Sequence, residues 1–160
     1  MEAEEHAEAL FEANQLDTEG TNWAYLPYGP FADLKIYHSW VRENQGPEDP
    51  VFLAIVEKES ARPLGIASYL RIHPAEGSIE VGHIHFSPLL QRSTSATESM
   101  FLMMQWAFEA GYRRYEWKCN ALNQTMRRAA QRLGFSFDGI FRQMMIVKGR
   151  NLYTAWFASI

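Results

Sequence analysis

The sequence holds a single cysteine, Cys119, so no disulfide can form within the chain. A reducing compartment, the cytoplasm, is the expected location. Basic residues are in the minority: 15 Lys and Arg against 19 Asp and Glu give a net charge of −4. That argues against a general nucleic-acid binder, which needs a basic face to neutralise phosphates. A small anion held by backbone amides is still allowed. No run of about 18 apolar residues occurs, so no membrane-spanning helix is expected. The start, MEAEEHAEALFEANQ, has neither the basic flank nor the apolar stretch of a secretory leader. Both glycine-rich phosphate motifs, G-x-G-x-x-G and G-x-x-x-x-G-K-[ST], are missing. A phosphate-binding loop in this chain must be of another kind.

What is present suits one soluble globular domain over residues 1–160, with 47% hydrophobic and 21% charged residues. HAEALFEANQ and residues 31–45 have helical spacing, and an aromatic loop, NWAYLPYGPF, lies between them. VFLAIVEK, LGIASYLRIH and IEVGHIHF read as three strands with hairpin-length breaks. A helix runs from Ala96 to the stop signal Gly111, with Met100, Met103, Met104, Ala107 and Phe108 on its core face. YRRYEWKCN reads as a strand and NQTMRRAAQRLG as a short helix. Two further strands follow, joined near Lys148-Gly149. The order α α β β β α β α β β makes an α/β (α+β) domain with a mixed sheet.

Between strand IEVGHIHF and the long helix lies SPLLQRSTSATESM, small, hydroxyl-bearing and free of glycine. Ser95-Ala-Thr-Glu98 fits a capping box, which predicts a helix start at Ala96. The amides of Arg92 to Thr94 would then stay free at the positive end of the helix dipole, as a backbone anion site.

Three phrases, IEVGHIHFSPLLQRSTSATESM, YRRYEWKCNALNQTMRRAAQRLGFSFDGIFRQ and VKGRNLYTAWFASI, resemble the GNAT superfamily of N-acetyltransferases. The nearest-looking branch is the ribosomal-protein N-terminal (alanine/serine) acetyltransferase type. The resemblance implies a mixed, mostly antiparallel, twisted sheet flanked by helices, here lacking the family's first strand. It implies acetyl-CoA as co-substrate, no metal, and an amine acceptor that is a peptide N-terminus or a small molecule. Gln91-Arg92-Ser93-Thr94-Ser95-Ala96 stands where the family has its pyrophosphate loop, with Thr94 replacing a glycine. Asn123 stands where the family contacts the pantetheine arm. Met126 stands where this branch usually carries a serine proposed as general acid. The backbone at His85-Phe86 would supply oxyanion donors, and Trp23, Tyr25 and Tyr28 would wall the acceptor site.

Acetyl transfer to an amine needs a neutral nitrogen and donors for the developing oxyanion. Glu80, acting through water, is the first candidate base and His83 the second. Strict alternation would put Glu80 with Gly82, Ile84 and Phe86, opposite Val81, His83 and His85. His83 and His85 also suit a packed pair; as H-x-H metal ligands they lack an obvious third partner. Glu116 suits either the acceptor groove or a cross-strand pair with an arginine. Arg92, Arg127 and Arg128 are candidates for the 3′-phosphate of coenzyme A. Cys119 reads as a core thiol. A non-catalytic acyl-CoA-binding or regulatory module is the alternative function. Monomer and homodimer are both compatible with the sequence.

Overall fold

The computed structural model describes residues 1–160. Its elements follow the predicted order: α1 (Ala3–Asn14), one 3-10 turn (Thr21–Trp23), α2 (Leu34–Glu43), β1 (Val51–Val56), β2 (Pro63–His73) and β3 (Ser78–Phe86). Then come α3 (Thr94–Glu109), β4 (Arg114–Asn120), α4 (Gln124–Arg132), β5 (Ser136–Val147) and β6 (Arg150–Ser159). The six strands form one sheet in the order β1-β2-β3-β4-β6-β5. Only β3 and β4 run parallel, because helix α3 carries the chain across between them. No strand precedes α1 in residues 1–160. No helix is long and apolar enough to cross a membrane.

One face of the sheet packs on α3 and α4. Met100, Met103 and Ala107 of α3 are buried against Ile79, Val81, Tyr115, Trp117 and Phe157 of the strands. Burying each such side chain contributes roughly 1.5–3 kcal/mol. The other face packs on α1 and α2 through a second cluster that includes Leu10, Trp23, Tyr37, Val41, Phe52 and Ile66. The helix α2 begins three residues later than its apolar pattern suggests. Asp33 caps it by accepting the Ile36 amide at 2.9 Å, a local bond that outweighs the apolar character of Phe31.

Helix α3 also departs from expectation. It begins at Thr94, two residues early, and its cap is Ser93, whose hydroxyl accepts the Ala96 amide at 3.0 Å. Ser95 and Glu98 therefore do not form the predicted capping box. The turn before α3 decides this. Leu90 is buried, its carbonyl accepts the Ser93 amide and hydroxyl, and Ser93 alone has the extended backbone a cap requires.

Candidate active site

Strands β3 and β4 pair only over Ser78–Val81 and Arg114–Trp117. Beyond that point they separate. Residues 82–86 keep β2 as a neighbour, and Lys118, Cys119 and Asn120 keep β6. The facing edges have no strand between them, so a V-shaped opening cuts into the sheet. The divergence coincides with a β-bulge. Four residues of β3, from Gly82 to His85, oppose three of β2, from Ser68 to Ile66, and His83 has a left-handed φ of 49°. A non-glycine residue in that region is strained, a feature that clusters at functional sites.

The bulge also corrects the expected facing of β3. Val81, Ile84 and Phe86 belong to the α3 side. Glu80, His83 and His85 lie together on the α1/α2 side, where His83 stacks on Phe52 and His85 on Trp23. One inserted residue turns a strict two-residue period into two half-strands with opposite phase.

At the mouth of the V lies the start of α3. The amides of Arg92, Thr94 and Ser95 make no hydrogen bond within the chain. Arg92 adopts φ 60°, which turns the chain sharply just before the cap. Thr94 is exposed and Ser95 half-buried, while Ala96 is buried and its amide is occupied by Ser93. Gln91 does not face solvent freely. Its side-chain amide donates at 2.9 Å to the Phe86 carbonyl and to Asn22 Oδ1, which ties this loop to the aromatic segment after α1. Short side chains, free amides and the helix dipole suit a pyrophosphate there.

A line of charges crosses the base of the opening. Glu80 is buried; its Oε1 accepts from Arg71 at 2.7 Å and its Oε2 lies 2.6 Å from Lys118 Nζ. The same ammonium sits 2.8 Å from Glu116 Oε2 and 3.7 Å from the centre of the Trp156 ring. Arg114 joins Glu116 to Asp138. Burial pushes the Glu80 carboxyl up, against the pull of Lys118 and Arg71. Burial also acts to raise Glu116, but Lys118 and Arg114 together hold it below the ordinary value. Glu116 thus pairs with an arginine of its own strand, not with a cross-strand one.

His83 Nδ1 lies 2.8 Å from Ser68 Oγ, which is also 3.3 Å from the Gly82 carbonyl. Burial, with help from the Arg71 charge, pushes His83 down to about 4. Burial pushes His85 down to about 4 as well, against the opposing charge of Asp17. Both rings are neutral at pH 7. With Ser68 donating to the carbonyl and accepting from Nδ1–H, His83 presents a lone pair at Nε2.

Trp23 is buried with its ring centre 3.7 Å from that of His85. Tyr28 is half-buried, 5.8 Å from His83 and 4.5 Å from Trp40 between ring centres. Burial raises the Tyr28 phenol well above its ordinary range. Tyr25 is exposed and takes no part in this cluster. The hairpin between β5 and β6 reaches the aromatic segment: Lys148 Nζ donates to the carbonyls of Trp23 and Gly29 at 2.9 and 2.8 Å. Gly29 must be glycine, because a Cβ would overlap the Trp23 ring and its φ is 63°.

On the far side, Asn123 caps α4 by accepting the Met126 amide at 3.1 Å. Met126 is half-buried against the core and has no proton to donate. Arg127 turns inward, its guanidinium over Phe137 and its Nη1 on the Ala121 carbonyl. Arg128 is exposed. Arg132, which the sequence reading passed over, reaches Thr97 Oγ1 beside the free amides. Burial pushes the Cys119 thiol up to about 11, which makes it a poor nucleophile. No group of three metal-ligating side chains is present.

Ser68, Arg71, Lys118, Arg132 and Lys148 are the residues sequence reasoning missed. Lys118 left one signal, a cation set between Trp117 and Cys119 and two residues after Glu116 in the sequence of β4. Such a residue needs a partner.

Residues 2–136 match the acetyltransferase (GNAT) domain family. A GCN5-related N-acetyltransferase from Brucella melitensis is 43% identical, with a TM-score of 0.95 over 99% of this chain and 72% of that one. A Chromobacterium violaceum protein described as one of the "probable acetyltransferases (GNAT family)" is 40% identical, with a TM-score of 0.92 over 100% and 80%. The microcin C7 self-immunity acetyltransferase MccE, solved with acetyl-CoA and AMP, shares the fold at 18% identity, with a TM-score of 0.76 over 99% and 86%. No curated protein sequence matches the chain. The chain belongs to the GNAT acetyltransferase family.

Proposed function

We propose that this GNAT-family chain is an acetyl-CoA-dependent N-acetyltransferase that transfers the acetyl group directly to a primary amine of low basicity, such as a peptide N-terminus. The observation that carries the reading is the opening between β3 and β4, which ends at the free amides of Arg92, Thr94 and Ser95. An extended pantetheine arm fits between two unpaired strand edges, and a pyrophosphate fits the helix start. The fold relative solved with acetyl-CoA supports the same co-substrate.

Acetyl-CoA, when bound, supplies a thioester carbonyl whose C–S bond breaks as the C–N bond forms. The chain's own groups do the rest. His83, oriented by Ser68, takes the proton that leaves the amine. It precedes Glu80 in this role because both Glu80 oxygens already hold cations. Backbone donors at His85-Phe86 stabilise the carbonyl oxygen. Trp23, Tyr28 and the Lys148 hairpin wall the acceptor's approach. Arg132 and Arg128 attract the remaining phosphate. Met126 has no proton to give where the branch carries a serine, and a leaving group whose thiol has a pKa of about 8.5 departs readily as the thiolate.

A base as weak as His83 suits an α-amino group, with an ordinary pKa of about 7.7–8.0, better than a lysine at about 10.4. The ribosomal-protein N-terminal branch fits this preference. The second reading, an acyl-CoA-binding module without turnover, draws on Met126 and on the occupied carboxylate of Glu80.

Mass spectrometry of a mixed panel of peptides and small amines, incubated with acetyl-CoA, tests both. Acetylated α-amines, reduced at least tenfold by His83→Gln, are expected. Coenzyme A binding with no product would establish the module instead. Preferred acetylation of lysine side chains would remove the low-basicity argument.

A further inference from the structure

The closed end of the strand opening is built on opposed charges. In the parallel register of β3 and β4, Glu80 stands directly opposite Glu116. Only Val81 and Trp117 pair beyond them before the strands part. Like charges directly opposite on one sheet face repel and weaken the pairing. Side-chain alternation puts Lys118 on the face of Glu116, two residues further along β4 and just inside the opening. Its ammonium reaches back to both strands, 2.6 Å from Glu80 Oε2 and 2.8 Å from Glu116 Oε2. The Trp156 ring covers it, and the lysine side chain is only 11% exposed, so water screens the two ion pairs weakly.

The neighbouring cations cannot replace it. Arg71 of β2 pairs with Glu80 alone, and Arg114 pairs with Glu116 and Asp138. Each holds a carboxylate on its own side of the fork, and Lys118 alone joins the two sides. The bulge at His83 turns β3 aside, but the pairing it leaves behind ends beside two like charges. We infer that Lys118 is a positioning residue for the cofactor: by bridging Glu80 and Glu116 it fixes the point where β3 and β4 part, and with it the depth of the opening that takes the pantetheine arm. The inference rests on the reading of that opening as the coenzyme A site. Without the bridge the two carboxylates push the strands apart, the opening deepens toward Ser78 and Arg114, and the arm loses its fitted edges.

The test compares the parent chain, Lys118→Met and Lys118→Met with Glu116→Gln. Amide hydrogen exchange without ligand, followed by nuclear magnetic resonance, reports the fork itself at residues 79–81 and 115–117. The β1-β2 pairing at Leu53 and Ala67 is the reference within the same molecule. A lysine that only adds global stability would speed both places alike when removed. Lys118→Met should instead speed exchange at the fork about tenfold relative to the reference. It should weaken coenzyme A binding, measured by calorimetry, about five- to tenfold, because fewer molecules hold the fitted opening. Adding Glu116→Gln leaves Glu80 with Arg71 and no opposing charge, and should return both readouts to within about twofold of the parent. Full affinity in Lys118→Met, as when the two carboxylates share a proton in place of the cation, would overturn the proposal. So would a loss that Glu116→Gln does not repair. If Lys118→Met does not fold, the double variant decides: weak binding there would mean that relief of the opposed charges does not shape the opening. A parent chain that binds no coenzyme A would overturn the reading of the opening instead, and exchange at the fork would then decide the role of Lys118 by itself.

Discussion

Trp117 and Lys118 are adjacent in β4 and face opposite sides of one sheet. Trp117 is buried in the α3-side core beside Tyr115, Phe135 and Phe157. Lys118 is almost as well covered, but it meets Glu80, Glu116 and Trp156. The α3 face is built mainly from apolar volume, with one buried bond inside it from the Tyr69 hydroxyl to the Met103 carbonyl. The α1/α2 face buries Ser68, Glu80, His85 and Thr154 among its aromatics. A sheet can thus assign stability to one face and chemistry to the other, within a single strand, through the two-residue period of the side chains.

The largest effects should come from this pair. Trp117→Ala should destabilise the fold by about 3–5 kcal/mol through the cavity it leaves. Lys118→Met should cost up to about 3 kcal/mol, by removing the cation shared by buried Glu80 and partly buried Glu116, which are left with Arg71 and Arg114 alone. The two losses should differ in how they are repaired. Adding Glu80→Gln and Glu116→Gln should restore much of the stability of Lys118→Met and none of that of Trp117→Ala. Urea unfolding of the five proteins checks this. An unrepaired Lys118→Met would mean that the lysine acts as packing, and the contrast between the faces would fail.

Acid should distinguish the faces next. His85 is held near 4 in the folded chain against an ordinary 6.5, so between those values the unfolded chain binds more protons than the folded one. Stability from His85 is complete above pH 6.5, falls as the pH drops toward about 4, and levels off below it. The slope is about 1.4 kcal/mol per pH unit for each such group, and His83 adds in the same direction. His85→Phe, which keeps the ring against Trp23, should flatten this part of the curve. A curve unchanged by that substitution would place the acid sensitivity elsewhere. A smaller effect is expected at the cap, where Ser93→Ala should cost about 1 kcal/mol.

Much of the fold was legible in the sequence because it depends on short-range pattern. Element order, the Met100–Met103–Ala107 stripe, the hairpin breaks and the turn at Lys148-Gly149 all follow from residues close in the chain. The candidate site was legible in part at SPLLQRSTSATESM: the amides of Arg92 and Thr94 are free as expected, but that of Ser93 is taken by the Leu90 carbonyl and that of Ser95 is free in its place. Two features were not. The bulge at His83 leaves IEVGHIHF looking like an unbroken alternation, since it arises from mismatch with β2 and from the parting of β4. The capping residue moved from Ser95 to Ser93 because Leu90 anchors the preceding turn, and both serines carry the same local preference. The cluster around Lys118 joins β2, β3, β4 and β6 and exists only once the sheet is assembled.

The cap position also decides how the opening is best tested. Ala96 is buried, so a charge there would disturb the core. Thr94 is exposed at the first position of α3, beside the free amides. Thr94→Asp places a carboxylate where the helix dipole favours it, by about 0.3–1 kcal/mol, and where a pyrophosphate must approach. Melting without ligand and coenzyme A affinity by calorimetry should be measured together on this variant and the parent chain. The account predicts a fold at least as stable as the parent, with coenzyme A binding lost. Unchanged affinity would contradict it, and would leave residues 87–100 as the capped start of a helix and nothing more.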